Sequence, residues 1–204
     1  MKPLTLVLLA IATAATGLSA ATQTFDFKDP KGVNNAVFKL DAPLEAINGS
    51  ANGISGTIRF DSSNPAATTG RIVVATSSLH VPNPLMKEHM LSDQWLDAGQ
   101  HKEIAFEAKS LAKVQTVGDV TTAEVTGSLT VKGVTKELVV PVKFTYLKDK
   151  LAARTNGQMK GDLLVLRANF TIKRSDFGIN PKAPEDKVSD TIDLTLSIAG
   201  SAPR

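Results

Sequence analysis

Three histidines, His80, His89 and His101, carry most of the chemical reach in this chain, and each sits on a separate segment among serines and carboxylates. A Ser-His-Asp relay would need folding to bring them together. The sequence has neither a Gly-x-Ser-x-Gly elbow nor a His-Glu-x-x-His metal pair. Met86-Lys87-Glu88-His89 comes nearest to the latter and lacks the second histidine. Cysteine is absent, which excludes thiol chemistry, iron–sulfur clusters and covalent haem. The expectation is a binding protein rather than an enzyme, with no catalytic residue, no metal and no resident cofactor. His89 has two readings, a hydrogen-bonding contact for a bound molecule or a satisfied structural group.

The element that must carry His89 is a short helix. Leu85, Met86, His89 and Met90 recur at the spacing of one helical face, and Lys87 and Glu88 fall on the other. Trp95, the only tryptophan, follows, then a turn at Asp97-Ala98-Gly99 and a strand on which Ile104, Phe106 and Ala108 share a face. Around this stretch the chain alternates as half-buried strands. Phe25 and Phe27 share a face before a turn at Asp29-Pro30-Lys31-Gly32. A second strand holds Val37, Phe38 and Leu40 and is read as continuing past Pro43 to Ile47. Asn48-Gly49 and Asn52-Gly53 are turn signals. Ile54, Gly56, Ile58 and Phe60 alternate with polar partners, and Arg71 to Leu79 reads as one strand.

Beyond the Ile104 strand, Val117-Gly118-Asp119 turns the chain into a strand with Val125, Leu129 and Val131 on one side. Lys132-Gly133-Val134-Thr135 returns it into Leu138–Leu147, where Val140, Val142, Phe144 and Tyr146 are spaced by two. Pro141 there implies an edge, a bulge or a solvent-facing amide. Leu164, Leu166, Ala168, Phe170 and Ile172 mark the next strand, and Ile192, Leu194, Leu196 and Ile198 the last. Long half-apolar strands joined by short turns favour an all-β fold: an antiparallel, eight-stranded, lipocalin-like up-and-down barrel with one short helix. Closure removes the exposed edges, and a barrel of eight strands has room for its own side chains or for one small ligand.

Residues 1–21 read as a cleaved signal peptide: Lys2, an uncharged run from Leu4 to Ala15, and small residues at Ser19-Ala20-Ala21. The barrel domain then spans 22–204, with a periplasmic or secreted location. Without Lys2 the 22 basic and 20 acidic residues are interspersed and aromatics are few, so nucleic acid is not an expected partner. The mature chain has no apolar run of membrane-spanning length.

Four motifs, taken in order, give the chain a resemblance to the YceI family of lipocalin-like, secreted polyisoprenoid-binding proteins, from about Thr24 to Ile198. They are Gly56-Thr57-Ile58-Arg59-Phe60-Asp61; His89 followed by Trp95-Leu96-Asp97 and Ile104-Ala105-Phe106; the hairpin from Val125 to Lys136; and Arg174-Ser175-Asp176-Phe177-Gly178. The chain departs from the family where Lys31 and Asp41 to Pro43 replace histidine-bearing segments, and where His101-Lys102 stands for Tyr-Pro.

The resemblance implies a carrier or sensor holding the tail of an isoprenoid, quinone-like or other amphiphilic lipid, with a role in transport, storage or stress response. A homodimer is compatible with it. The tail would lie against Phe38, Ile58, Phe60, Phe106, Val140, Val142, Phe144, Tyr146, Phe170 and Ile172, with Leu85, Met86 and Met90 as a lid. His89, Arg174 and Asp176 would meet the head group. The same residues also suit a solid core, and with it a filled-barrel interaction module with no lipid. In that case Arg174 to Gly178 is a structural turn, Asp176 accepting backbone amides and Phe177 plugging the barrel, and Trp95 is packing.

Overall fold

The computed structural model describes residues 22–204, and the expected leader at 1–21 lies outside them. Among the described residues the strands are β1 (Gln23–Asp26), β2 (Asn35–Asp41), β3 (Ala46–Ala51), β4 (Ile54–Phe60), β5 (Thr69–Ala75), β6 (Leu79–His80), β7 (Glu103–Val117), β8 (Val120–Val131), β9 (Val134–Leu147), β10 (Gly161–Lys173) and β11 (Thr191–Pro203). The helices are α1 (Pro84–Leu91) and the single turn α2 (Leu151–Arg154). From β4 to β11, leaving out β6, each strand pairs antiparallel with the next, and β1 closes the ring between β4 and β11. This is the closed eight-stranded barrel that the alternating pattern implies.

The ring is extended at one end. There β2 pairs with Asp193–Ser197 of β11, β3 pairs with β2, and the two residues of β6 pair with β3. The second strand therefore does not continue past Pro43. It ends at Asp41, reverses through Ala42–Glu45 with Pro43 in the turn, and returns as β3. Asn48-Gly49 consequently lies inside β3 and makes no turn. Gly49 sits opposite Phe38, and a Cβ at Gly49 would come 2.1 Å from Phe38 Cζ, so the glycine makes room for the ring. Asn52-Gly53 does form the β3–β4 connection. The expected strand from Arg71 to Leu79 is broken by a 3₁₀ turn at Thr76–Ser78. The Ser78 hydroxyl donates to the Ala75 carbonyl at 2.7 Å and the Thr76 amide to that of Lys102 at 2.9 Å, which redirects the chain toward β3.

Other local readings match the structure. Lys132 and Gly133 both have positive φ, 48° and 74°, the signature of the tight β8–β9 hairpin turn. The expected helix through Leu85, Met86, His89 and Met90 is α1, and the structure adds its cap: the Asn83 side-chain oxygen accepts from the Met86 amide at 3.1 Å, with Pro84 in the first turn. Pro141 pairs with Glu124 of β8, whereas the β9–β10 ladder stops one residue away at Val142↔Ala168, so its missing N–H costs that ladder nothing. Asp29 holds the β1–β2 loop by accepting from the amides of Lys31, Val33 and Asn34. Burial works to raise its carboxyl, yet those amides and Arg154 outweigh it and hold the group below its usual range.

Candidate functional site

Two apolar clusters divide the barrel interior. The lower one contains Phe25, Phe27, Phe60, Phe144 and Leu164, and the upper one Phe38, Leu79, Val81, Leu129 and Ile172. The lower end is shut by aromatic rings. Phe60 stacks on Phe144 with centroids 6.0 Å apart, and Phe25 meets Phe60 and Tyr146 edge-on at 6.5 and 6.2 Å. Behind this plug the Tyr146 hydroxyl donates to Asp162 at 2.7 Å, and Asp162 also accepts from the Asp149 amide and from Arg204. Burial and the Asp162 carboxylate push the Tyr146 phenol up to about 12. Burial would raise Asp162, but its donors and Arg204 hold it below its ordinary value.

Above the plug the barrel is hollow. A cavity of about 530 Å³ runs up to α1, walled almost wholly by carbon. That volume is in the range of sites that enclose one small ligand, roughly 300 to 1,000 Å³. Alternation supplies the wall: every second residue of β8, β9 and β10 points into the barrel, and on β7 a register shift between Ala108 and Ser110 passes the inward face from Ala108 to Leu111. From the strands, Phe38, Ile58, Phe106, Val140, Val142, Phe144, Phe170 and Ile172 line it. Leu85, Met86 and Met90 line it from α1, whose residues are all at least partly exposed; Leu85 is 60% exposed at the mouth. Phe60 and Tyr146 are brought to the plug instead and do not line the cavity.

The polar candidates part company. His89 lines the mouth with an exposed side chain, while its carbonyl accepts from the amide and hydroxyl of Ser92. Arg174 also reaches the wall but is 1% exposed. Its guanidinium donates to the carbonyl of Ile179 at 2.7 Å, to that of Asn180, and more distantly to those of Val188 and Ser189, both 3.4 Å. The indole of Trp95 covers it, 5.9 Å from guanidinium carbon to ring centroid. Arg174 therefore fastens the 179–189 loop over the barrel end. Asp176 is exposed and lines no part of the cavity; the carboxylate that serves this turn is Asp190, which accepts from the Ser175 amide and hydroxyl, both at 2.8 Å. Burial would raise the Asp190 carboxyl, and those bonds with Arg174 keep it low. Phe177 is buried in the upper cluster.

Sequence reasoning misses Glu45 and Ile47 on the β2–β3 hairpin and Ile179 and Val188 on the loop after β10, all of which line the cavity. The hairpin residues were within reach: Pro43 between two alternating segments is a turn signal. The loop residues have no periodicity to reveal them. Among the described residues no group of three or more His, Asp or Glu side chains gathers to hold a metal ion, and no helix is long and apolar enough to cross a membrane.

A family model described as YceI-like domain matches residues 16–199. A UPF0312 protein of Pseudomonas syringae pv. syringae is 32% identical over 158 residues, covering 76% of this chain and 73% of its own. Among solved structures, Burkholderia cenocepacia BcnA superposes with a TM-score of 0.65 at 18% identity, covering 81% of this chain and 95% of its own. A polyisoprenoid binding domain from Saccharophagus degradans, implicated in plant cell wall breakdown, superposes with a TM-score of 0.63 at 11% identity, covering 90% and 100%.

Proposed function

The chain belongs to the YceI-like family, and from that membership we propose that it is a binding protein of the periplasm or of the secreted fraction that holds the tail of one isoprenoid, quinone-like or similar amphiphilic lipid. The observation that carries this reading is the carbon-walled cavity of about 530 Å³ between the aromatic plug and α1. Water gains few hydrogen bonds in such a space, and empty space forfeits dispersion contacts on every wall. A hydrocarbon tail resolves both costs.

Each buried methylene is worth roughly 0.8 kcal/mol, or about 3 to 4 kcal/mol per isoprene unit relative to water. A tail of several units stays in its membrane unless another apolar compartment receives it, and this cavity is one. The Saccharophagus degradans domain, named for polyisoprenoid binding, supports the choice of tail. The signal-like residues 1–21 support export. The half-buried methionines Met86 and Met90 suit a lid over tails of varied shape. Family membership and the polyisoprenoid-binding neighbour support carriage, storage or sensing as the work.

The test is to purify the exported protein without detergent, extract it with organic solvent, identify co-purifying lipids by mass spectrometry, and offer the stripped protein prenyl lipids in vesicles. A stoichiometric isoprenoid or quinone, or its uptake by the stripped protein, supports the reading. A folded protein that yields no lipid and takes none from vesicles refutes it and leaves a surface-acting interaction module.

A further inference from the structure

Beyond lipid holding, we propose that the α1 end of the barrel docks on the surface of a phospholipid bilayer, with Leu44 and Leu85 entering a zwitterionic headgroup layer. Three elements border that end of the cavity: the β2–β3 hairpin through Glu45 and Ile47, α1 through Leu85, and the loop after β10 through Ile179 and Val188. Leu44 and Leu85 are the two exposed leucines among the described residues, at 66% and 60%, and both stand on this rim. The Leu44 amide donates to the Asp186 carbonyl at 2.8 Å, which ties the hairpin to the loop. Leu85 belongs to the cavity wall as well as to the exposed rim, so apolar surface is continuous from one to the other.

The backbone of the rim is suited to leaving water. Pro43 and Pro84 precede the two leucines, and Pro82, Pro181 and Pro184 are exposed on the same elements; a proline has no N–H to desolvate. The Met86 amide donates to the Asn83 side chain and the Lys87 amide to the Asn83 carbonyl, while the amides of Lys187 and Val188 both reach the Pro184 carbonyl. Amides that already have partners do not oppose entry into a less polar layer. The exposed charges are of both signs, Lys182 and Lys187 beside Glu45, Glu88, Glu185 and Asp186. That mixture complements headgroups that carry phosphate and ammonium together, and it creates no single-sign field to hold a polyanion. A protein partner fits less well. Stable protein interfaces bury about 800 Å² per side around an aromatic-rich core, whereas every described phenylalanine, tyrosine and tryptophan is buried or half-buried. A fluid layer closes around separate leucine tips without needing matched pockets.

Two leucines give a weak, reversible visit rather than an anchor. The experiment floats the full mature protein with vesicles of phosphatidylcholine and phosphatidylethanolamine, free of prenyl lipid, at millimolar lipid. The parent is expected to float with the vesicles at low and at raised salt. Leu44→Ser, which leaves the cavity wall intact, is expected to weaken partition about tenfold, and adding Leu85→Ser to weaken it further. Leu44→Trp is expected to strengthen it, and Val139→Ser, at a residue 59% exposed on β9, to change nothing. A parent that stays in the soluble fraction overturns the proposal, as does a double serine variant that floats like the parent, or binding that needs phosphatidylglycerol and disappears with salt. A Leu44-dependent dimer that ignores vesicles also overturns it and makes the rim an interface with a second copy. Because these vesicles hold no prenyl lipid, none of these results bears on lipid holding, which the extraction and uptake test decides.

Discussion

Replacing Arg174 by methionine separates the two roles open to this side chain. Methionine keeps much of the apolar stem and removes the guanidinium, which in the structure makes two close bonds, to Ile179 and Asn180, and two at 3.4 Å. A hydrogen bond to a charged donor contributes about 1.5 to 3 kcal/mol, and the two long ones add little. Loss of the stacked position over Trp95 adds up to about 2 kcal/mol in a desolvated setting, less at the 5.9 Å seen here. The sum is about 3 to 8 kcal/mol, which for a domain of this size lowers Tm by roughly 6 to 30 °C. The assay is urea unfolding, with the midpoint shifting at unchanged m. Arg174→Lys should recover only part of the loss, because an ammonium cannot reproduce the planar fork that spans several carbonyls. An Arg174→Met variant within about 1 kcal/mol of the parent would refute the structural assignment and return Arg174 to the head-group candidates.

Asp162→Asn should cost about 1 to 3 kcal/mol at neutral pH by weakening the bonds from Tyr146, Asp149 and Arg204. It should also flatten the acid limb: the folded carboxyl lies below 3.8, so its contribution is present above about that pH and is lost as pH falls through the lowered value. Parallel urea melts at neutral and strongly acid pH check both, and an unchanged acid limb contradicts the assignment. Gly49→Ala should destabilise by about 1 to 3 kcal/mol through overpacking against Phe38. Adding Phe38→Leu should recover part of that loss in a double-mutant cycle, whereas simple additivity would show that the ring is not the obstacle.

Much of the barrel is legible because half-buried strands write their geometry into the chain with a period of two. Val125, Leu129 and Val131, or Leu164, Leu166 and Ala168, announce an inner face, and Lys132-Gly133 announces a turn. Asn48-Gly49 shows where such signals mislead. Its dipeptide favours a turn, yet the pairing of β2 with β3 and the bulk of Phe38 place the glycine in mid-strand. The turn in Arg71 to Leu79 is invisible for the opposite reason: Thr76–Ser78 is set by bonds to Ala75 and Lys102 rather than by glycine or proline.

The sequence alone determined the fold class, the inward faces, the helix that carries His89 and the lack of thiol chemistry, because each depends on residue type and local period. Tertiary structure decided what those faces meet. Phe144 and Tyr146 share one face of β9, but Phe144 borders the cavity and Tyr146 lies below it in the plug. Period reports which side of a strand a residue occupies and is silent on its depth along the barrel axis. Depth, and whether opposing side chains touch or leave a hollow, follows from strand number, stagger and tilt. The same distinction separates Arg174 from Asp176. They are two residues apart in one motif, yet the loop folding back from Ile179 to Ser189 surrounds the first with carbonyls and leaves the second in water.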